Sequence, residues 1–234
     1  MVANKKAGRE PAVRAGLKLL DEHGLDGLTL GRIAKELNVR APTLYWRFAS
    51  KQDLVDAMAT QIIADWISPL ALPVRGDGWR SWTIRFATTF RAALRRHRDG
   101  ARLVAGTFLN DGVDLDAMEH GLRVYENAGI GVGDAILCCR TLYDYVVGFT
   151  IEEQAVISQA GIRDPRYSVE ERSSRMSGGK YPLSTEAGPF LLGNFETRFA
   201  EGVELIVTGF AARSGAPNES ANPTTALIGT EDLP

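Results

Sequence analysis

Thr29-Leu30-Gly31-Arg32-Ile33-Ala34-Lys35-Glu36-Leu37-Asn38-Val39-Arg40-Ala41-Pro42-Thr43-Leu44-Tyr45-Trp46-Arg47-Phe48 is the stretch whose reading decides the fold. Thr29 has the side-chain oxygen that an N-cap needs, and Leu30, Ile33, Ala34 and Leu37 recur at the spacing of one helix face. Asn38-Val39 reads as a tight turn. Pro42 then falls in the first turn of a second short helix, where its missing N–H leaves nothing unpaired. That helix is predicted over Thr43 to about Phe48, with Leu44 and Phe48 an i, i+4 pair facing inward. Two short helices joined by so short a turn must cross, which is the helix-turn-helix arrangement.

The pattern extends outward on both sides. Upstream, Pro11 opens a helix whose inner face is Val13, Gly16, Leu17 and Leu20, and Gly24 stands where a left-handed terminator is needed. Downstream, Ser50-Lys51-Gln52-Asp53 has the character of a capping box and starts a fourth helix carrying Leu54, Met58, Ile62 and Trp66 on successive turns. Pro69, Pro73 and Gly76 then break the chain. The expected organisation is a helix-turn-helix domain over 1–66, with the fourth helix as connector, a helical body over 67–213, and a disordered tail over 214–234. Helical patterns are predicted near 79–97, 102–108, 115–128, 133–158 and 188–213, and a long loop over 160–188. No strand-like alternation of any length occurs, so the fold class is all-α.

Composition narrows the function. Hydrophobic residues are 44% of 234, enough for a sizeable core, but no apolar run is long enough to span a membrane. The polar, basic start from Met1 to Pro11 is not a secretory signal, so the expected location is the cytoplasm. The whole chain is slightly acidic, yet residues 1–51 hold ten Lys/Arg against five Asp/Glu. A basic head on an acidic body suits an anionic partner for the head alone. Cys138 and Cys139 read as small reduced hydrophobes rather than a metal site. His23 fits a helix C-terminus, and His97 and His120 fit surface positions. None of them lies in a motif with a nucleophile or a second ligand, and no phosphate loop or nucleophile elbow occurs, which argues against an enzyme.

In a helix-turn-helix the second helix enters the major groove of double-stranded DNA with its N-terminal residues at base edges. The candidate DNA-reading set is therefore Arg40, Ala41, Thr43, Tyr45, Trp46, Arg47 and Lys51. The arginines can grip phosphate or guanine, and Thr43 offers a hydroxyl and a methyl. Lys51 sits at a helix N-terminus that itself attracts phosphate. Of the adjacent rings of Tyr45 and Trp46, one can turn inward but not both.

These residues carry a family resemblance. Leu25-Asp26-Gly27-Leu28-Thr29, Ile33-Ala34-Lys35-Glu36-Leu37-Asn38-Val39 and Ala41-Pro42-Thr43-Leu44-Tyr45-Trp46-Arg47-Phe48-Ala49-Ser50-Lys51 resemble the TetR family of transcriptional regulators, in its tetracycline repressor subgroup. The likeness continues through Phe90-Arg91-Ala92-Ala93-Leu94, Arg98-Asp99-Gly100-Ala101, Gly106-Thr107, Glu126-Asn127-Ala128-Gly129, Gly148 and Ile151-Glu152-Glu153-Gln154, so that it covers roughly residues 9 to 210. The resemblance implies an all-helical homodimer on a palindromic operator, released by a small effector bound in the body. It also exposes departures. The subgroup's metal-binding histidine falls on Val104, its drug-contacting histidine on Ile67, its asparagine on Phe86 and a glutamine on Gly121, while Phe90 and Thr107 are kept and Glu152 matches an acidic residue near the metal. Valine ligates no hard cation. The implied effector is therefore small and mostly hydrophobic, with no metal or other cofactor, and is lined by Ile67, Phe86, Phe90, Val104, Thr107, Phe108, Cys139 and Tyr143. In the head, Gly31 and Ala41 replace residues that contact bases in the family, and Arg47 replaces a histidine, so a different operator is expected. The alternative is a helix-turn-helix regulator controlled by a protein partner, with those same residues filling a core.

Overall fold

The computed structural model describes residues 8–72, 74, 78–107, 115–176 and 180–216. Among them are twelve α-helices and no strand: α1 (Arg9–His23), α2 (Leu30–Glu36), α3 (Ala41–Tyr45), α4 (Lys51–Ile67), α5 (Trp79–Arg95), α6 (Gly100–Val104), α7 (Leu115–Asn127), α8 (Val132–Val156), α9 (Val169–Ser174), α10 (Pro182–Glu186), α11 (Gly188–Leu191) and α12 (Phe195–Ser214). No described helix is long and apolar enough to cross a membrane.

The head is α1 to α3 packed on the N-terminal half of α4. Its core is Leu17, Leu20, Leu28, Ile33, Leu44, Phe48, Leu54 and Met58. Gly16 lets α1 approach α4, because a Cβ there would lie 2.7 Å from the Met58 sulfur. Thr29 Oγ1 accepts the Arg32 N–H at 3.2 Å and Ser50 Oγ accepts the Asp53 N–H at 3.1 Å, both caps as the sequence predicts. Asp53, however, reaches back to the Ala49 N–H at 3.0 Å, one residue before the cap.

The body is built around α5, α8 and α12. Arg91 on α5 is buried, and its guanidinium meets Glu153 of α8 at 2.6 and 2.8 Å and Glu196 of α12 at 2.6 and 3.0 Å. The rings of Phe149 and Phe199 lie 5.6 and 4.6 Å from the same guanidinium. One cation thus fastens three helices, and it is the main counter-charge of the buried Glu153, which Arg95 otherwise reaches only at 3.5 Å.

Head and body meet at the corner between α5 and α6. The Arg98 N–H donates to Asp21 of α1 at 3.0 Å, and the His97 ring reaches the same carboxylate at 3.1 Å. Asp99 adopts φ 56° and accepts the Leu25 N–H at 2.9 Å. Behind the corner, the Gln154 amide of α8 donates to the His97 carbonyl at 2.8 Å and accepts the Ala101 N–H at 3.1 Å.

Several expectations are corrected here. The predicted loop over 160–188 contains a 3₁₀ turn at Pro165–Tyr167 and helices α9 and α10, because Asp164, Ser168 and Pro182 supply helix starts. Residues 177–179 of that stretch lie outside the described residues. The helix predicted over 102–108 runs only Gly100–Val104, and that over 188–213 is split before Asn194, whose side chain caps α12 through the Glu196 N–H at 2.7 Å. Neither His97 nor His120 is a plain surface residue: both are half-buried. The tail read as disordered over 214–234 starts later than expected, since Ser214 is the last residue of α12 and Gly215 is its cap; residues 217–234 lie outside the described residues, as does Phe108.

Arg91→Ala should destabilise the fold by about 3–5 kcal/mol in urea unfolding, since it leaves the buried Glu153 carboxylate with Arg95 alone, at 3.5 Å. The Arg91 guanidinium also holds the Glu196 carboxyl below its ordinary value of 4.5. The stability from that pairing is complete above pH 4.5 and is lost as the pH falls through the lowered folded value. Acid titration of thermal stability should show this loss in the parent chain and a smaller one in Glu196→Gln.

Candidate nucleic-acid interface and effector core

The DNA-reading surface is presented by a helix of five residues, too short to hold itself. Two buried anchors, Leu44 and Phe48, seat it from below. Arg9 locks its far end: one guanidinium nitrogen donates to the Arg47 carbonyl at 2.9 Å, another to Asp53 at 3.0 Å, and the guanidinium lies 4.7 Å from the centre of the Phe48 ring. The same contact holds the Asp53 carboxyl below the usual carboxylate range. Asn38 makes the turn into this helix at φ 54°, a conformation that asparagine tolerates better than most side chains.

Held this way, Arg40, Thr43, Tyr45, Trp46, Arg47 and Lys51 are all exposed, and Ala41 is half-buried against the core. Tyr45 is 60% and Trp46 88% exposed, so both adjacent rings point outward where the sequence allowed for one to turn in. Gly31, at the start of α2, has no atom within 4 Å of where a side chain would begin. Arg9 was not among the sequence candidates. Its role depends on a contact 38 residues away, and a lone arginine near a chain start carries no local signal for that.

In the body, the effector candidates fall into one aromatic system. Phe90 is fully buried between Trp66, at 4.2 Å between ring centres, and Tyr143, at 5.1 Å. Phe86 meets Trp66 edge-on at 4.8 Å and lies 5.5 Å from Trp82. Val104 is buried beside them, and Ile67, Cys139 and Tyr143 pack against the same core half-buried. The Thr107 hydroxyl donates to the Leu103 carbonyl at 2.5 Å, which leaves its oxygen able to accept. Glu152 is exposed, and the buried acid is its neighbour Glu153.

Below this system Tyr125 is fully buried, its hydroxyl 2.6 Å from Thr83 and receiving the Cys139 thiol at 3.5 Å. Burial pushes the Cys138 thiol up to about 12 and raises Cys139 as well, so both stay protonated and unreactive at neutral pH. Among the described residues, the buried Trp82 indole N–H and His120 Nε2 are without a hydrogen-bond partner.

A helix-turn-helix head with exposed cations, joined by one long helix to a helical body, defines a DNA-binding transcriptional regulator. Comparison with known proteins makes this specific. Residues 12–58 match the model for bacterial regulatory proteins of the tetR family, and residues 72–214 match the tetracyclin repressor-like C-terminal domain. The chain is 38% identical over 202 residues to the class A tetracycline repressor protein from transposon 1721 of Escherichia coli, covering 86% of this chain and 89% of that protein. Among solved structures it is similar to a possible TetR family transcriptional regulator from Streptomyces coelicolor A3(2), with 36% identity and a TM-score of 0.74 over 88% of this chain and 99% of that one. It is also similar to class A TetR in complex with 5a,6-anhydrotetracycline and magnesium, with 31% identity and a TM-score of 0.62 over 86% and 96%. The chain belongs to the TetR family and is one of its helix-turn-helix transcriptional repressors.

Arg47→Ala and Lys51→Ala should each weaken operator binding and lower the salt slope by about one, as removal of one phosphate contact does. Thr43→Ala and Tyr45→Ala should weaken it with the melting temperature unchanged. Fluorescence anisotropy across a salt series, beside a melting curve, checks all four.

Proposed function

We propose that the protein represses transcription as a homodimer on a palindromic operator and is released by a small, mostly hydrophobic effector that enters the body without a metal. The observation that carries the effector reading is the aromatic system around Phe90, which extends through Phe86 to Trp82, whose buried indole N–H has no hydrogen-bond partner among the described residues. A buried donor left bare costs about 1–3 kcal/mol, so a core that served packing alone has reason to satisfy it. An effector with ring surface and an oxygen acceptor meets both needs.

The metal reading does not fit. Val104, which takes the place of the subgroup's metal-binding histidine, is an apolar side chain buried in this core and offers no ligand atom to a hard cation. Class A TetR was solved with magnesium beside its anhydrotetracycline, so the two proteins would differ in what they hold.

Exposed apolar and small side chains support the dimer. Leu137, Thr141 and Gly148 recur along one exposed face of α8, and Leu205 and Gly209 do so on α12. Nothing lies within 4 Å of a side chain built at Gly148 or Gly209, which suits close approach of a second copy. The two heads would then read half-sites about one helical turn, or a multiple of it, apart.

A second reading has its own observation. Phe90 lies between two parallel rings, and a filled core there favours a regulator controlled by a protein partner. Gel mobility shift on DNA upstream of the protein's own gene, repeated with candidate effectors, separates the readings. Release by a small molecule supports the first, and operator binding that no small molecule relieves supports the second. Thermal-shift titration with tetracycline should show no magnesium-dependent stabilisation; a shift that needs magnesium would overturn the metal-free reading.

A further inference from the structure

A cavity of about 770 Å³ lies away from the aromatic core and shares no residue with it. Its walls are the end of α5 with the following corner (Arg95, Arg98, Asp99), the last turn of α8, and the return loop 157–165. The loop is pinned by the Ile157–Arg163 bridge and by the Asp164 N–H donating to the Val156 carbonyl at 2.9 Å. This volume is that of an ordinary small-molecule site.

The charged groups lining it are Arg95, Arg98, Asp99, Glu153, Arg163 and Asp164. All three acids are already engaged by groups outside the cavity: Glu153 by Arg91, Asp164 by Arg166 at 2.6 Å, and Asp99 by the Leu25 N–H and, at 3.4 Å, by Arg102. Arg95 is matched by Glu196 and Glu153. Arg98 and Arg163 differ. The Arg98 guanidinium makes one contact of 3.4 Å to the Glu22 carbonyl, and that of Arg163 holds the carbonyls of Tyr167, Leu192 and Gly193. Among the described residues neither meets a carboxylate, so Arg98 from the corner and Arg163 from the return loop are the two lining arginines left unneutralised, the Arg163 guanidinium also lying 5.2 Å from the Phe195 ring.

We infer that this cavity binds a small polyanion bearing phosphate or carboxylate groups, between Arg98 and Arg163. Planar guanidinium forks are the natural partners of such groups. Arg98 also touches the end of α1 through its backbone N–H and its side chain, so an anion that draws the guanidinium inward acts on the head directly. This is a second effector site, independent of the aromatic one.

Isothermal titration of the full chain at constant ionic strength tests it, with pyrophosphate and citrate as the two probes. Saturable binding of either supports the site, and the stronger of the two names the anion class. Arg98→Gln should weaken binding by about tenfold, as loss of a charge-assisted pair does. Arg163→Gln should do the same, with Arg163→Lys restoring part of it. Should the Arg163 variants misfold, the exposed Arg98 decides alone. Arg47→Ala, on the DNA-reading face, should leave the affinity unchanged. Binding of neither probe, or binding lost in Arg47→Ala and kept in Arg98→Gln, overturns the proposal.

Discussion

The orientation of the head rests on a few polar contacts at the corner between α5 and α6. Asp99 is bent into a left-handed conformation there and takes a peptide N–H from the head, while Asp21 of the head takes one from the corner. Gln154 then satisfies two further peptide groups of the same corner from the opposite side. α6 follows directly and carries Val104, and α8 carries both Gln154 and Tyr143, so these two helices join the aromatic core to this corner. Peptide groups held from both sides have few alternatives, so the corner passes displacement on instead of absorbing it.

The Arg91 cluster makes that transmission one-sided. It fastens α5, α8 and α12 into a single block through charges that cannot be separated cheaply in a buried site. The short α6 and the α4 helix, whose Trp66 stacks on Phe90, lie outside that charge cluster. The helix that leads to the DNA-reading surface is thus also the helix whose last turns line the aromatic core.

The sequence made the head legible and the body less so. Short helices with caps, turns and i, i+4 anchors announce themselves: Thr29, Asn38, Leu44, Phe48 and Ser50 all do what local chemistry predicts. The body's decisive pairings join residues about 60 and 105 positions apart, as in Arg91 with Glu153 and Glu196, and no periodicity encodes a partner at that range. The stretch 160–188 looked like loop because its helices are only a turn or so long, and the contact that ties its start to the segment before α12, Arg163 to the Leu192 carbonyl, spans 29 residues. Exposure of both Tyr45 and Trp46 follows from the brevity of α3, which has one inward side chain, Leu44, and no room for a second. The unpartnered Trp82 N–H was invisible for a different reason: a missing contact leaves no trace in a pattern.

Gly31 has a consequence for how such a regulator changes over time. It stands at the start of α2 with empty space around it, on a head whose core lies wholly beneath. A larger side chain there meets solvent or a base edge, but no neighbour in the protein. At this position a substitution on the proposed DNA-reading face leaves the folding core untouched. A lineage can move from one operator to another through single substitutions on this face while the protein's stability, and its answer to an effector, stay where they were.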